Sequence, residues 1–184
     1  MAGYKDTLSN LIEIKNTNSK YALWFKCDGN LFQFDRPIIF GIVYIPPEYT
    51  KYTSDEAFNE IQQELLSFQN TTKYICLLGD FNARTGVEND FVEMYKNEHG
   101  GNNITDFVDN NVDVSKNFLL PVHRKGMDSG KNRYGNLLLN LCKCNRLFIV
   151  DGRIDGDKNL GKYTCRESSV VDYCIYVVLN CLVT

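Results

Sequence analysis

The segment that most limits what this chain can become runs from Tyr74 through Ile75, Cys76, Leu77 and Leu78 to Gly79, Asp80, Phe81 and Asn82. A bulky apolar run bounded by turn formers reads as a buried strand, here over 74–78. The strand then ends in chemistry. Gly79 permits a sharp turn, and an acid and an amide two residues apart leave the sheet edge together, close to any group docked there.

The flanking sequence supplies partners for that strand. Residues 21–27 are aromatic and apolar, Asp28-Gly29-Asn30 is a turn signal, and 31–34 resume the alternation, which predicts a hairpin. A strongly apolar strand is expected over 37–45, ended by Pro46-Pro47, which cannot donate ladder hydrogen bonds. Thr53 and Glu56 have capping-box spacing, and Phe58, Ile61, Leu65 and Phe68 recur at helical intervals, so a helix is expected over 54–69. Strand, helix, strand in this order points to a mixed α/β layer structure. From 83 to 132 the periodicity fades into Asn, Asp and Gly, the mark of a long irregular excursion that is often functional. A second helix is expected over 134–144, with short strands over 147–150 and 163–165 and a β-branched strand over 170–182. No repeats or low-complexity segments occur.

With 184 residues and 43% hydrophobic content, one globular domain with a real core is expected. No apolar stretch has the length and freedom from charge of a membrane span, and the first residues lack a signal-peptide core, so an intracellular chain is expected. The seven cysteines read as reduced thiols, because Cys142 and Cys144 lack a second pair at zinc-site spacing. A net charge of -3 does not suit a simple nucleic-acid coat, whose binding rests on Lys and Arg. It is compatible with a nuclease, since a site that holds a divalent cation needs carboxylates.

Three places carry candidate chemistry. Asp80 and Asn82 could form only an Asx turn, the usual fate of such a string in isolation. At a buried strand's end, Asp80 could instead position or deprotonate a water, and Asn82 could donate to a phosphoryl oxygen. Asp172 interrupts an apolar strand, where an unpaired charge is expensive. It either faces solvent or pairs with a lysine, or it orients a histidine or helps hold a metal ion. Tyr44, just before Pro46-Pro47, could be one ordinary tyrosine among 11, or a phenol placed to bond a phosphate oxygen. His99 and His123 read as surface residues without metal-site spacing.

Taken together, Val-Tyr-Ile-Pro-Pro at 43–47, Gly-Asp-Phe-Asn-Ala-Arg-Thr-Gly at 79–86 and Ser-Val-Val-Asp-Tyr at 169–173 resemble the endonuclease/exonuclease/phosphatase superfamily. The extended form at 79–86 is most similar to the apurinic-like endonuclease domain of non-LTR retrotransposons, as are Asn-Arg-Tyr-Gly-Asn-Leu-Leu-Leu-Asn-Leu-Cys at 132–142 and Gly-Arg-Ile-Asp-Gly-Asp at 152–157. The resemblance spans 21 to the C-terminus. It implies an α/β fold of the four-layer α/β/β/α sandwich type, incomplete here, with 1–184 forming a single partial domain. It also implies Mg²⁺-dependent cleavage of phosphodiester bonds in DNA and action in the nucleus. Asp80 would align the attacking water, Asn82 would contact the phosphate and steady Asp80, Tyr44 would bind the phosphate, and Asp172 would orient a catalytic histidine.

The family's Ser-Asp-His element after the Asp-Tyr strand, and its metal-binding Glu ahead of Tyr21, do not occur in these 184 residues; Glu13 lacks the surrounding pattern. No metal ligand is assigned, and the expectation is a catalytically impaired nuclease fragment with poor solubility. The alternative is a non-catalytic nucleic-acid-binding or relic module of a decayed retroelement. A phosphoinositide or sphingolipid hydrolase of the same fold is disfavoured by Ala-Arg-Thr-Gly at 83–86. Pro47, where cellular abasic-site enzymes carry Asn, favours the retroelement branch.

Overall fold

Apolar strands at 38–44 and 74–80 form the centre of a mixed sheet in the computed structural model, which describes residues 8–92, 121, 123–154, 156–166 and 168–177. In chain order the elements are β1 (Ile12–Lys15), β2 (Ala22–Cys27), β3 (Ile38–Tyr44), α1 (Glu56–Gln69), β4 (Tyr74–Asp80), α2 (Arg133–Asn145), β5 (Leu147–Ile149) and β6 (Asp172–Val177). The six strands lie in the order β1-β2-β3-β4-β6-β5. Only β3 and β4 run parallel, joined through α1, and the other neighbours are antiparallel. The architecture is thus α/β, with a six-stranded mixed sheet and two helices among the described residues.

Both helices cover one face of this sheet. Ala57, Phe58, Ile61 and Leu65 of α1, and Tyr134, Leu138, Leu139, Leu141 and Cys142 of α2, form one buried cluster with Trp24, Ile39, Val43, Ile75, Leu77, Tyr173 and Ile175. Their helical and two-residue spacings put each set on a single side of its element. Gly41 makes room for the core's largest ring, since a Cβ there would lie 2.8 Å from Trp24 and Leu77. The Trp24 indole in turn donates to Glu64 of α1 at 2.5 Å, tying helix to sheet.

The opposite face carries Leu23, Phe25, Phe40, Ile42, Leu78 and Tyr176, half-buried to exposed, with Ile42 42% exposed. A sheet face this apolar is ordinarily covered.

Several expectations are corrected. Residues 31–34 do not form the second arm of a hairpin: the Asp28 side chain accepts from the Asn30 amide and caps a 3₁₀ turn over Gly29–Phe32, and β2 pairs with β3 instead. The capping box of α1 does not form, because the Thr53 hydroxyl donates to the Pro47 carbonyl and the helix begins at Glu56. Residues 163–165 are not a strand; Cys165 makes only an isolated bridge to Ser169. The strand expected over 170–182 is β6, Asp172–Val177, and its expected end lies outside the described residues. The edge strand β1 was not foreseen.

Of the excursion over 83–132, residues 93–120 and 122, including His99, lie outside the described residues. Its described ends are tightly held. Arg84 donates to both carboxylate oxygens of buried Asp128, at 2.9 and 2.6 Å. Arg153 and Asp90 form a fully buried ion pair whose carboxylate also accepts from the Ile149 amide.

Candidate active site

Strand register gathers the candidate residues. Tyr44 on β3 is opposite Asp80 on β4, and Asp80 is opposite Asp172 on β6, so the three occupy one row across adjacent strands. Residues directly opposite in a sheet project to the same face. Tyr44 is exposed, while Asp80 and Asp172 are half-buried. Like charges directly opposite each other are destabilising, which makes this pair a candidate for a working site.

Burial is the main cause that pushes the Asp80 carboxyl above its ordinary range, and the charge of Asp172 adds to it. The Asn82 amide opposes both by donating to Asp80 Oδ1 at 2.8 Å. Among the described residues the Asp172 side chain has no hydrogen-bond or ion-pair partner, and it is partly open to solvent. Its backbone is fixed by Thr164, whose Oγ1 accepts from the Val171 and Asp172 amides at 3.0 and 3.1 Å.

The turn after β4 is built for this placement. Gly79 has φ of 135°, and a Cβ there would lie 2.0 Å from the Val43 carbonyl oxygen, so only glycine lets β4 approach β3 here. Asn82 has φ of 47°, a left-handed conformation that Asn tolerates. Its Nδ2 donates to the Ile45 carbonyl at 2.7 Å, while the Ile45 amide donates to the Asp80 carbonyl at 2.9 Å. Asn82 therefore closes the Asx turn and also clamps the end of β3. An Asn amide carries two hydrogens, so the second can still meet a phosphoryl oxygen.

Three further residues hold the site, and sequence reasoning missed them. Asn132 caps α2 by accepting from Gly135, also accepts from the Arg84 amide, and donates to the Asn82 carbonyl at 3.0 Å. An Asn just before a helix is a readable cap, but its reach back to Asn82 is not. The Tyr173 hydroxyl sits between the carbonyls of Ala83 and Val170 at 2.8 and 2.9 Å, and burial pushes its pKa up to about 12. Thr164 is the third. His123 is exposed and faces Asn89 and the Phe91 ring, with no tie to Asp172.

The Mg²⁺ that the resemblance implies takes several oxygen ligands. Among the described residues no group of three or more His, Cys, Asp or Glu side chains is placed to hold a metal ion. Asp80 and Asp172, neighbours in the row, are the two carboxylates that could share such an ion, with water and a substrate phosphate as its other ligands. No helix among the described residues is long and apolar enough to cross a membrane.

No family model matches the chain, and no curated protein matches it.

Proposed function

We propose that this chain is the phosphate-handling part of a phosphodiester-cleaving DNA endonuclease of the endonuclease/exonuclease/phosphatase type, in its retrotransposon branch. The observation that carries the reading is the single row of Tyr44, Asp80 and Asp172 across three strand ends. In this scheme the Tyr44 phenol donates to a phosphoryl oxygen and Asp80, with its raised pKa, takes a proton from water more readily near neutral pH than an ordinary aspartate would. Asn82 fixes the Asp80 turn, and Asp172 keeps the Asp80 proton affinity high. The open apolar face would receive a second sheet and complete a four-layer α/β/β/α sandwich. DNA as partner, Mg²⁺ as cofactor and nuclear action belong to the same reading.

The reading keeps the impaired catalysis that the resemblance implies, which puts the chain closer to nucleic-acid binding than to cleavage. Supercoiled plasmid incubated with Mg²⁺ and this chain is therefore expected to stay uncut, and nicking that disappears in Asp80→Ala would overturn the impairment. For the phosphate site, Tyr44→Phe is expected to weaken binding of a short oligonucleotide about threefold to tenfold, as the net loss of one ordinary solvent-exposed hydrogen bond does. Unchanged affinity would remove Tyr44 from the site.

A further inference from the structure

The connection between β3 and α1 starts at the candidate site. Ile45, its first residue, is bonded to Asp80 through its amide and to Asn82 through its carbonyl. Beyond the two prolines the loop is braced by its own side chains. The hydroxyls of Thr50 and Thr53 both donate to the Pro47 carbonyl, at 3.0 and 3.3 Å. The Thr50 amide donates to Thr53 Oγ1 and the Tyr52 amide to Thr50 Oγ1, at 2.9 and 3.3 Å. At the far end the Ser54 amide donates to the Tyr134 hydroxyl of α2, and Asp55 pairs with Arg133.

This rigid frame holds two tyrosines in water. Tyr49 is 96% exposed and has φ of 62°, in the left-handed region that a bulky aromatic residue rarely adopts. Tyr52 is 62% exposed, with Lys51 Nζ 4.8 Å from its ring centroid. Folding gains nothing from an unburied ring on a strained backbone, and strain of this kind concentrates at ligand clamps. Lys51 and Glu48 oppose each other in sign within the loop, so ring faces rather than net charge are its main binding resource.

We propose that the β3–α1 loop is a stacking clamp in which Tyr49 and Tyr52 receive unpaired bases of a nucleic-acid strand whose backbone lies at the Tyr44, Asp80 and Asp172 row. Every base has a π-face, so such a clamp accepts unstacked bases with little regard for sequence. A paired duplex keeps its faces occupied and fits less well. The inference rests on the phosphodiester reading of the neighbouring row.

The test is fluorescence anisotropy of the full chain with a labelled single strand, the matching duplex, and an abasic strand of equal length. The single strand is expected to bind tighter than the duplex or the abasic strand. Tyr49→Ala and Tyr52→Ala are each expected to cost about tenfold for the single strand. Tyr49→Trp should retain affinity. Tyr49→Asn, which keeps the left-handed backbone without the ring, should lose it as the alanine variant does. The salt slope should be the same in all, because no phosphate contact is removed.

Alanine variants within about twofold of wild type, equal binding of single and abasic strands, preference for the duplex, or no binding of any strand would each overturn the clamp. If the alanine variants weaken binding and Tyr44→Phe does not, the clamp stands and the phosphate row falls. The reverse pattern retains the row and removes the clamp.

Discussion

Asp80 shows how a position in the candidate site opposes stability. Its carboxyl is held above the ordinary value of 3.8 by burial and by Asp172, so the folded chain binds this proton more tightly than the unfolded chain does. Stability from this group is therefore fully present below the ordinary aspartate range and is lost as pH rises through the raised folded value. At pH 7 the charge is a net penalty. Asp80→Asn keeps an oxygen for the Asn82 amide and is expected to raise the unfolding free energy measured in urea at pH 7, by about 1 kcal/mol or less because water screens the half-buried group. The gain should shrink to nothing below about pH 4, and a pH-independent gain would place its cause elsewhere. Asn82 behaves oppositely. Asn82→Ala loses the bond to Ile45 and places a Cβ-bearing residue without local hydrogen bonding at a φ of 47°. A loss of about 2–3 kcal/mol in urea denaturation is expected, with Asn82→Gly recovering the backbone share. Asp80, Asn82, Tyr44 and Asp172 were legible because each breaks or ends an apolar pattern. Thr164 and Asn132 were not, since a hydroxyl or amide that bonds distant backbone leaves no local mark.

At the scale of elements, periodicity was the dependable guide. Helix α2 and strands β3 and β4 lie where apolar spacing places them, because packing against a single core enforces the pattern. Helix ends and turns followed other rules. Thr53 and Glu56 have the spacing of a capping box, yet Thr53 serves the loop, and the Ser54 amide at the start of α1 is satisfied from another helix by the Tyr134 hydroxyl at 3.0 Å. Likewise residues 31–34 alternate, but the Asp28 side chain finds a local partner first and turns the chain. The Tyr134 ring packs edge-on against Phe58, so one residue both fills the core and caps its neighbour. Tyr134→Phe keeps the ring and removes only the cap. It is expected to cost about 1–2 kcal/mol in chemical denaturation, the usual range for a part-buried amide left without its partner. Amide exchange at Ser54 and in the first turn of α1 should speed up while the rest of the helix is unchanged. Uniform acceleration along α1 would show instead that the ring had shifted.

Among the described residues the molecule is asymmetric about its sheet: one face is sealed by two helices, while the other presents Leu23, Phe25, Phe40, Ile42 and Leu78 on three adjacent strands, with Phe25 and Phe40 stacked at 5.3 Å. Sequence alternation in β2 and β3 could not reveal this, because both faces of these strands are apolar and the pattern does not say which face is covered. The candidate row stands on the open face, at its rim, so whatever covers the sheet also walls one side of the site. A contiguous apolar surface of this kind drives association. The chain alone is expected to bind a hydrophobic dye such as ANS in the native state and to sediment as concentration-dependent oligomers. Ile42→Lys, at a position 42% exposed and on the sheet face opposite the helix-covered core, should reduce both without lowering the unfolding free energy by more than about 0.5 kcal/mol. A control change on the outer side of α1, Leu66→Lys, at a residue 47% exposed, should leave dye binding and sedimentation as they are. If both variants act alike, association is a property of surface hydrophobicity in general. If only Ile42→Lys acts, the sheet face is the adhesive surface, and the lining of the candidate site depends on what packs there.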